Sequence, residues 1–218
     1  MSRPVKTSRR YESPAREEQA RETRRAVLAA ATRLFSERGY AATTMADIAA
    51  EAGVVVQTVY SAVGGKSMLL KEAIDVAIVG DDEPVPMVDR PEIQLVAAET
   101  AGRRKLELYA EHLAQVQGRI ARLDQVLRVA ADADPAVAAL RDALVEGRHY
   151  GMTLFATNLK QLRLLRRGMT VERAADVLSA HMDSVNYLNL VVDRGWSAKD
   201  YQRWYVDVTA AALFRPES

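Results

Sequence analysis

The sequence has no cysteine, only three histidines, few aromatic residues and no long apolar run. Without cysteine there is no disulfide framework, no thiolate nucleophile and no cysteine zinc site. The apolar runs fall well short of the ~18 residues that span a bilayer, and the Arg-rich start lacks a signal-peptide core. We therefore expect a soluble, cytoplasmic protein with no membrane partner. His112, His149 and His181 lie far apart with no ligand spacing around them, so no metal site is expected. Nucleophile-elbow, Walker and dinucleotide patterns are also missing, so neither an enzyme nor a cofactor is indicated.

What remains is 218 residues, 49% hydrophobic and 27% charged, enough for one or two domains with a real core. The net charge of +1 conceals an uneven distribution. Residues 1–66 hold eleven Lys and Arg against seven Asp and Glu, an excess of +4, and the rest of the chain carries −3. A basic end on a mildly acidic body steers that end towards a polyanion.

Residues 1–20 mix Arg, Lys, Ser, Glu and proline with almost no large aliphatics, which predicts a flexible basic arm. From about Glu22, Val27, Ala30, Ala31, Leu34 and Phe35 fall on one helical face, ended by Gly39. Thr44 and Asp47 form a capping-box start for a short helix stopped by Gly53. A third helix carries Gln57, Thr58, Val59 and Tyr60 to Gly64 and Gly65, and a fourth runs from Lys66 to about Val79. Beyond Pro91 the pattern stays helical, with Gly118, Asp134-Pro135, Gly168 with Thr170, and Gly195 with Ser197 as punctuation. The expectation is an all-α chain of nine to ten helices.

Two short helices joined by a glycine turn and buttressed by a longer helix make a helix-turn-helix unit, here about residues 44–63. Ala49 permits close helix approach, and Ile48, Val54 and Val59 supply apolar contacts. Thr43, Thr44, Gln57, Thr58 and Tyr60 offer small or uncharged polar groups to phosphates and base edges.

The spaced pattern from Leu34-Phe35 through Gly39-Tyr40, Thr43-Thr44, Ile48-Ala49, Ala52-Gly53-Val54 and Thr58-Val59-Tyr60 to Lys66 and Leu69 resembles the TetR family of transcriptional regulators over about fifty residues. The resemblance implies a DNA-binding domain at 21–81, a helical effector-binding and dimerisation domain at 82–218, and a homodimer on a palindromic double-stranded operator. It places Thr44 at a phosphate, Val55, Val56, Gln57 and Thr58 near base edges, and Tyr60 and Lys66 on the DNA backbone. Gln57 can make a bidentate contact to adenine, and valines can meet thymine methyls. Dimerisation is expected through about 171–190 and 197–214. The family implies a repressor released by a small-molecule effector; an architectural protein without effector and a helical carrier or enzyme are the rival classes.

Two positions depart from the family pattern. Val55 stands where a small polar residue often caps the recognition helix, an omission costing about 1 kcal/mol, and Val63 stands where an aromatic is common.

For the effector, Tyr109, His112 and Val116 form a stripe on one helix, and the Arg148–Phe155 stretch puts His149, Met152 and Phe155 on another. Asp183, Asn186 and Tyr187 are polar groups in an apolar stretch, which need partners that a ligand can supply.

Overall fold

The computed structural model describes residues 14–81 and 85–215, and among these the chain is helical, with one isolated antiparallel bridge between Leu165 and Phe214. Helix α1 spans Pro14–Ala42, α2 Met45–Glu51, α3 Val56–Val63 and α4 Lys66–Val79. The larger part holds α5 Pro91–Ala98, α6 Gly102–Ala131, α7 Pro135–Gln161, α8 Val171–His181, α9 Ser184–Tyr187 and α10 Ala198–Leu213. A 3-10 turn, Met87–Asp89, precedes α5, and a π-helical segment, Leu188–Asp193, follows α9.

The capping chemistry is as expected. Thr44 accepts from the Asp47 amide and Asp47 answers the Thr44 amide, and Ser197 with Asp200 repeats the arrangement at α10. Thr170 accepts from the Arg173 amide, and Asp134 accepts from the Ala136 and Val137 amides behind Pro135. Gly53 takes the left-handed conformation, φ 68°, that turns the chain between α2 and α3. Val55 begins α3 with no side-chain cap, and Val63 is buried at 6% exposure.

Two sequence expectations need correction. Residues 14–20 are not part of an arm but the first turns of α1, where Glu17 lies in the first turn and suits the helix dipole; residues 1–13 lie outside the described residues. Gly118 does not interrupt a helix. It sits inside α6, where a β-carbon would stand 3.3 Å from the Tyr187 hydroxyl, so it permits close approach of α9.

The apolar side chains form two clusters. The first joins α1 to α4 through Phe35, Leu34, Ile48, Val59, Leu69 and Ile74, and also takes in Val116, Ile120, Leu123 and Leu127 of α6 and Val137 of α7. The second joins α6, α7, α8 and α10 through Leu106, Leu113, Leu159, Leu178, Tyr201 and Tyr205. Helix α6, 30 residues and about 45 Å long, thus enters both cores. A chain boundary at 81/82 is therefore not a boundary of the core.

Because the first core borrows from α6, Leu123→Ala, at a fully buried site, is expected to cost about 2–5 kcal/mol. Its unfolding transition should move together with amide-exchange protection in α1 and α4. Unchanged protection in those helices would mean that the first core does not depend on α6.

Candidate DNA interface and effector cavity

The second and third helices present a small polar and apolar surface. Val55 is 69% exposed, Gln57 and Ser61 are exposed, and Tyr60 is 47% exposed, while Val59 and Val63 point into the core. Val56 is partly exposed at 38%, and Thr58 is half-buried. The uncapped start of α3 leaves amides without a side-chain acceptor.

Thr43 is corrected. It is fully buried, and its hydroxyl lies 3.2 Å from the Leu34 carbonyl and 2.8 Å from that of Gly39. These bonds tie off the end of α1, so Thr43 positions α2 and is out of reach of a phosphate. Its neighbour Thr44 is exposed, although its hydroxyl also donates to Asp47 Oδ2 at 2.7 Å.

Lys66 lies half-buried at the first turn of α4, with its ammonium 4.3 Å above the Tyr40 ring. Burial lowers its pKa, partly countered by Asp134. The Tyr40 hydroxyl donates to Asp134 Oδ2 at 3.1 Å, and burial, then this bond, pushes its pKa to about 12. Asp134 is also the cap of α7, so one carboxylate joins the end of α1 to the start of α7. Sequence reasoning gave Asp134 only a place, with Pro135, as punctuation between helices.

A cavity of about 730 Å³ lies between α4, α5, α6 and α7. Tyr109, His112, Val116, Met152 and Phe155 all line it. The Tyr109 and Phe155 rings meet at 5.1 Å between centroids. Asp75, Ile78 and Val79 of α4 close another side, and Lys105, Gln117, Arg148 and Asn158 add polar groups. Sequence reasoning missed Gln117, although its spacing of eight from Tyr109 is a helical-face signal. Nothing in local spacing brings α4 to the same space.

His149, Asp183, Asn186 and Tyr187 are outside the cavity wall, and protein groups already meet them. The His149 Nδ1 lies 3.3 Å from Ser179 Oγ on the far side of α7. Asp183 caps α9 and pairs with Arg128 at 2.7 Å. Asn186 donates to the Ala180 and His181 carbonyls, and the Tyr187 ring stands edge-on to Tyr201. The Arg128 guanidinium and backbone groups, not a ligand, meet the polar atoms of Asp183 and Asn186. Among the described residues no group of His, Asp and Glu is placed to hold a metal ion, and no helix is long and apolar enough to cross a membrane.

Burial holds the His112 and His181 imidazoles below their ordinary 6.5, with Glu92 opposing the shift at His112 and Arg119 and Arg90 adding to it. The folded state thus resists protons that the unfolded state accepts. Stability is complete above about 6.5 and is lost as pH falls through the lowered folded values. Denaturant titrations between pH 7 and 5 should show a falling unfolding free energy, with a shallower slope in His112→Gln. An equal slope in that variant would remove His112 from the account.

Residues 27–73 match the family described as bacterial regulatory proteins, tetR family. The transcriptional regulator TtgR of Pseudomonas putida is 28% identical over 171 residues, 77% of this chain and 80% of its own. The same fold is found in NalD of Pseudomonas aeruginosa, the secondary repressor of the MexAB-OprM multidrug efflux pump. There the TM-score is 0.65 at 19% identity, over 91% of this chain and 100% of NalD. It is found also in SmeT in complex with triclosan, at TM-score 0.65 and 21% identity, over 89% of this chain and 92% of SmeT. With a helix-turn-helix segment that matches the tetR-family model at one end and an all-helical body over the rest, the chain is similar to TetR-family transcriptional regulators.

Proposed function

We propose that the protein acts as a homodimeric repressor on a palindromic operator and is released by a small molecule bound in the cavity. The observation that carries this reading is the placement of α4. Its first residue, Lys66, lies over Tyr40 beside the DNA-facing helices, and its last turns, with Asp75, Ile78 and Val79, wall the cavity. A ligand against those turns favours one setting of α4, and α4 in turn positions α3 relative to the body. The repressor role named for NalD and the ligand named for SmeT support the reading.

At the operator, α3 enters the major groove with Val55, Val56, Gln57 and Thr58 at base edges. Tyr60, Thr44 and Lys66 approach phosphates, Lys66 after leaving the Tyr40 ring. The exposed Val185, Val192 and Trp196 supply apolar surface for a second copy, whereas Trp204 packs on its own Tyr201 and His181. Two copies place two recognition helices about one helical turn apart.

Selection of bound sequences from random DNA should return an inverted repeat with half-sites at that spacing. Against the selected operator, Gln57→Ala is expected to cost about 1–3 kcal/mol and to flatten preference at one base pair, with no change in melting temperature. Recovery of no common sequence would overturn the operator reading. Effector and operator must also weaken each other's binding by the same factor, which titrations from both directions check.

A further inference from the structure

The cavity wall contains amide oxygens that the protein leaves without a donor. Gln117 is 2% exposed, and its Nε2 donates to the Met182 carbonyl at 2.6 Å. That bond fixes which end of the amide is oxygen. The remaining atom, Gln117 Oε1, is buried with no hydrogen-bond partner, as is Asn158 Oδ1 on α7. On the same lining, the hydrogen bonds of the Tyr109 hydroxyl go to the sulfurs of Met152 and Met182, at 3.7 and 3.6 Å, which are weak acceptors. An acceptor held away from water with no donor lowers an equilibrium constant by about tenfold or more, and a bound donor restores it.

The charges around the cavity are, by contrast, already matched. Lys105 is fully buried, and its three protons go to the carbonyls of Val96, Ala97 and Glu99. Arg148 pairs with Asp124 at 3.2 Å, and Asp75 with Lys71 at 2.5 Å. His112 faces Glu92 at 3.9 Å, and its burial favours the neutral ring. A ligand that brings a full charge meets an apolar wall with no spare counter-ion, and desolvating that charge is costly.

We propose that the cavity binds uncharged, mainly apolar molecules carrying a hydrogen-bond donor, with phenols the simplest such class, and that Gln117 Oε1 is the acceptor that reads the donor. This names the ligand class for the effector role proposed above and rests on it. It assigns Gln117 a specificity role distinct from the aromatic and methionine side chains that only fill space. The Met182 carbonyl keeps the amide oriented, and the cavity that Gln117 lines accommodates a ring against Tyr109 and Phe155.

The test uses the full-length protein and four probes of one shape: 4-phenylphenol, its methyl ether, biphenyl-4-carboxylate and 4-phenylbenzylammonium. Calorimetric titration should show the phenol bound about tenfold or more tighter than the ether, with both ions weaker than the phenol. Gln117→Met should bring phenol and ether to similar affinity while leaving the unfolding transition cooperative. If that variant does not fold, the phenol-to-ether ratio on the unaltered protein decides alone. Equal binding of phenol and ether, tighter binding of either ion, or no binding of the phenol would overturn the proposal. The phenol is then titrated into the protein–operator complex. Release supports the effector role, whereas selective phenol binding with the operator complex intact would overturn that role and leave the ligand class standing.

Discussion

Everything in this molecule is referred to α6, a single helix whose two halves are buried in different cores. Leu106, Leu113 and Tyr109 belong to the body, while Ile120, Leu123 and Leu127 close the underside of the DNA-binding helices. Because α6 is shared by both cores, movement of one core relative to the other changes the packing of neighbouring helices along its flanks. Helices α4 and α7 lie along those flanks and both line the cavity. Arg119 secures one flank by donating to the Ala77 and Ile78 carbonyls at the end of α4. On the proposed reading, a ligand between α4, α6 and α7 sits where two of the helices that pack on α6 meet it.

The polar groups near that space divide into two kinds. Charged ones are spent on the fold: Lys105 ties the loop after α5 to α6, and Asp124 holds Arg128 and Arg148. Such pairs resist loss because a lone buried charge is far more costly than a pair. Neutral ones, Gln117 and Asn158, keep an unused oxygen. On the proposed reading, fold stability and ligand recognition draw on different chemistry within one wall, so a ligand can come and go without breaking an ion pair.

How much of this could be read from the sequence depended on whether the signal was local. Capping boxes at Thr44 and Ser197, the turn glycine Gly53 and the start of α7 at Asp134 are decided within four residues, and the structure agrees at each. The missing cap at Val55 was equally legible, because valine has no side-chain acceptor. Thr43 misled for a reason of the same kind: a threonine beside a helix start reads as polar surface, and only the fold of α1 back over it makes it core. Gly118 failed because glycine marks both a break and a close approach, and the partner, Tyr187, is 69 residues away along the chain. The cavity was half visible. Stripes on α6 and α7 are periodic, but the contribution of α4 depends on tertiary packing, and the partners of Asp183 and Asn186 come from Arg128 and from backbone carbonyls that no pattern announces.

The junction of Tyr40, Asp134 and Lys66 shows how far a local contact can carry a switch. A hydrogen bond to a carboxylate is worth about 1.5–3 kcal/mol, and a partly exposed cation–π contact about 0.5–1 kcal/mol. Reversing a two-state equilibrium from 99:1 to 1:99 takes about 5.5 kcal/mol of differential ligand affinity. The junction alone falls short of that, so it cannot be the whole device. The remainder must come from repacking the apolar contacts of α4 with α1 and α6, such as Leu69, Leu70 and Ile74, which are almost fully buried. Moving one such side chain between well-packed and loosely packed settings is worth a few kcal/mol, of the order that core truncations cost. Two or three of them supply the difference. On the proposed reading the polar junction sets the direction in which α4 is released, since Lys66 freed from the Tyr40 ring is a cation returned to the surface beside α3.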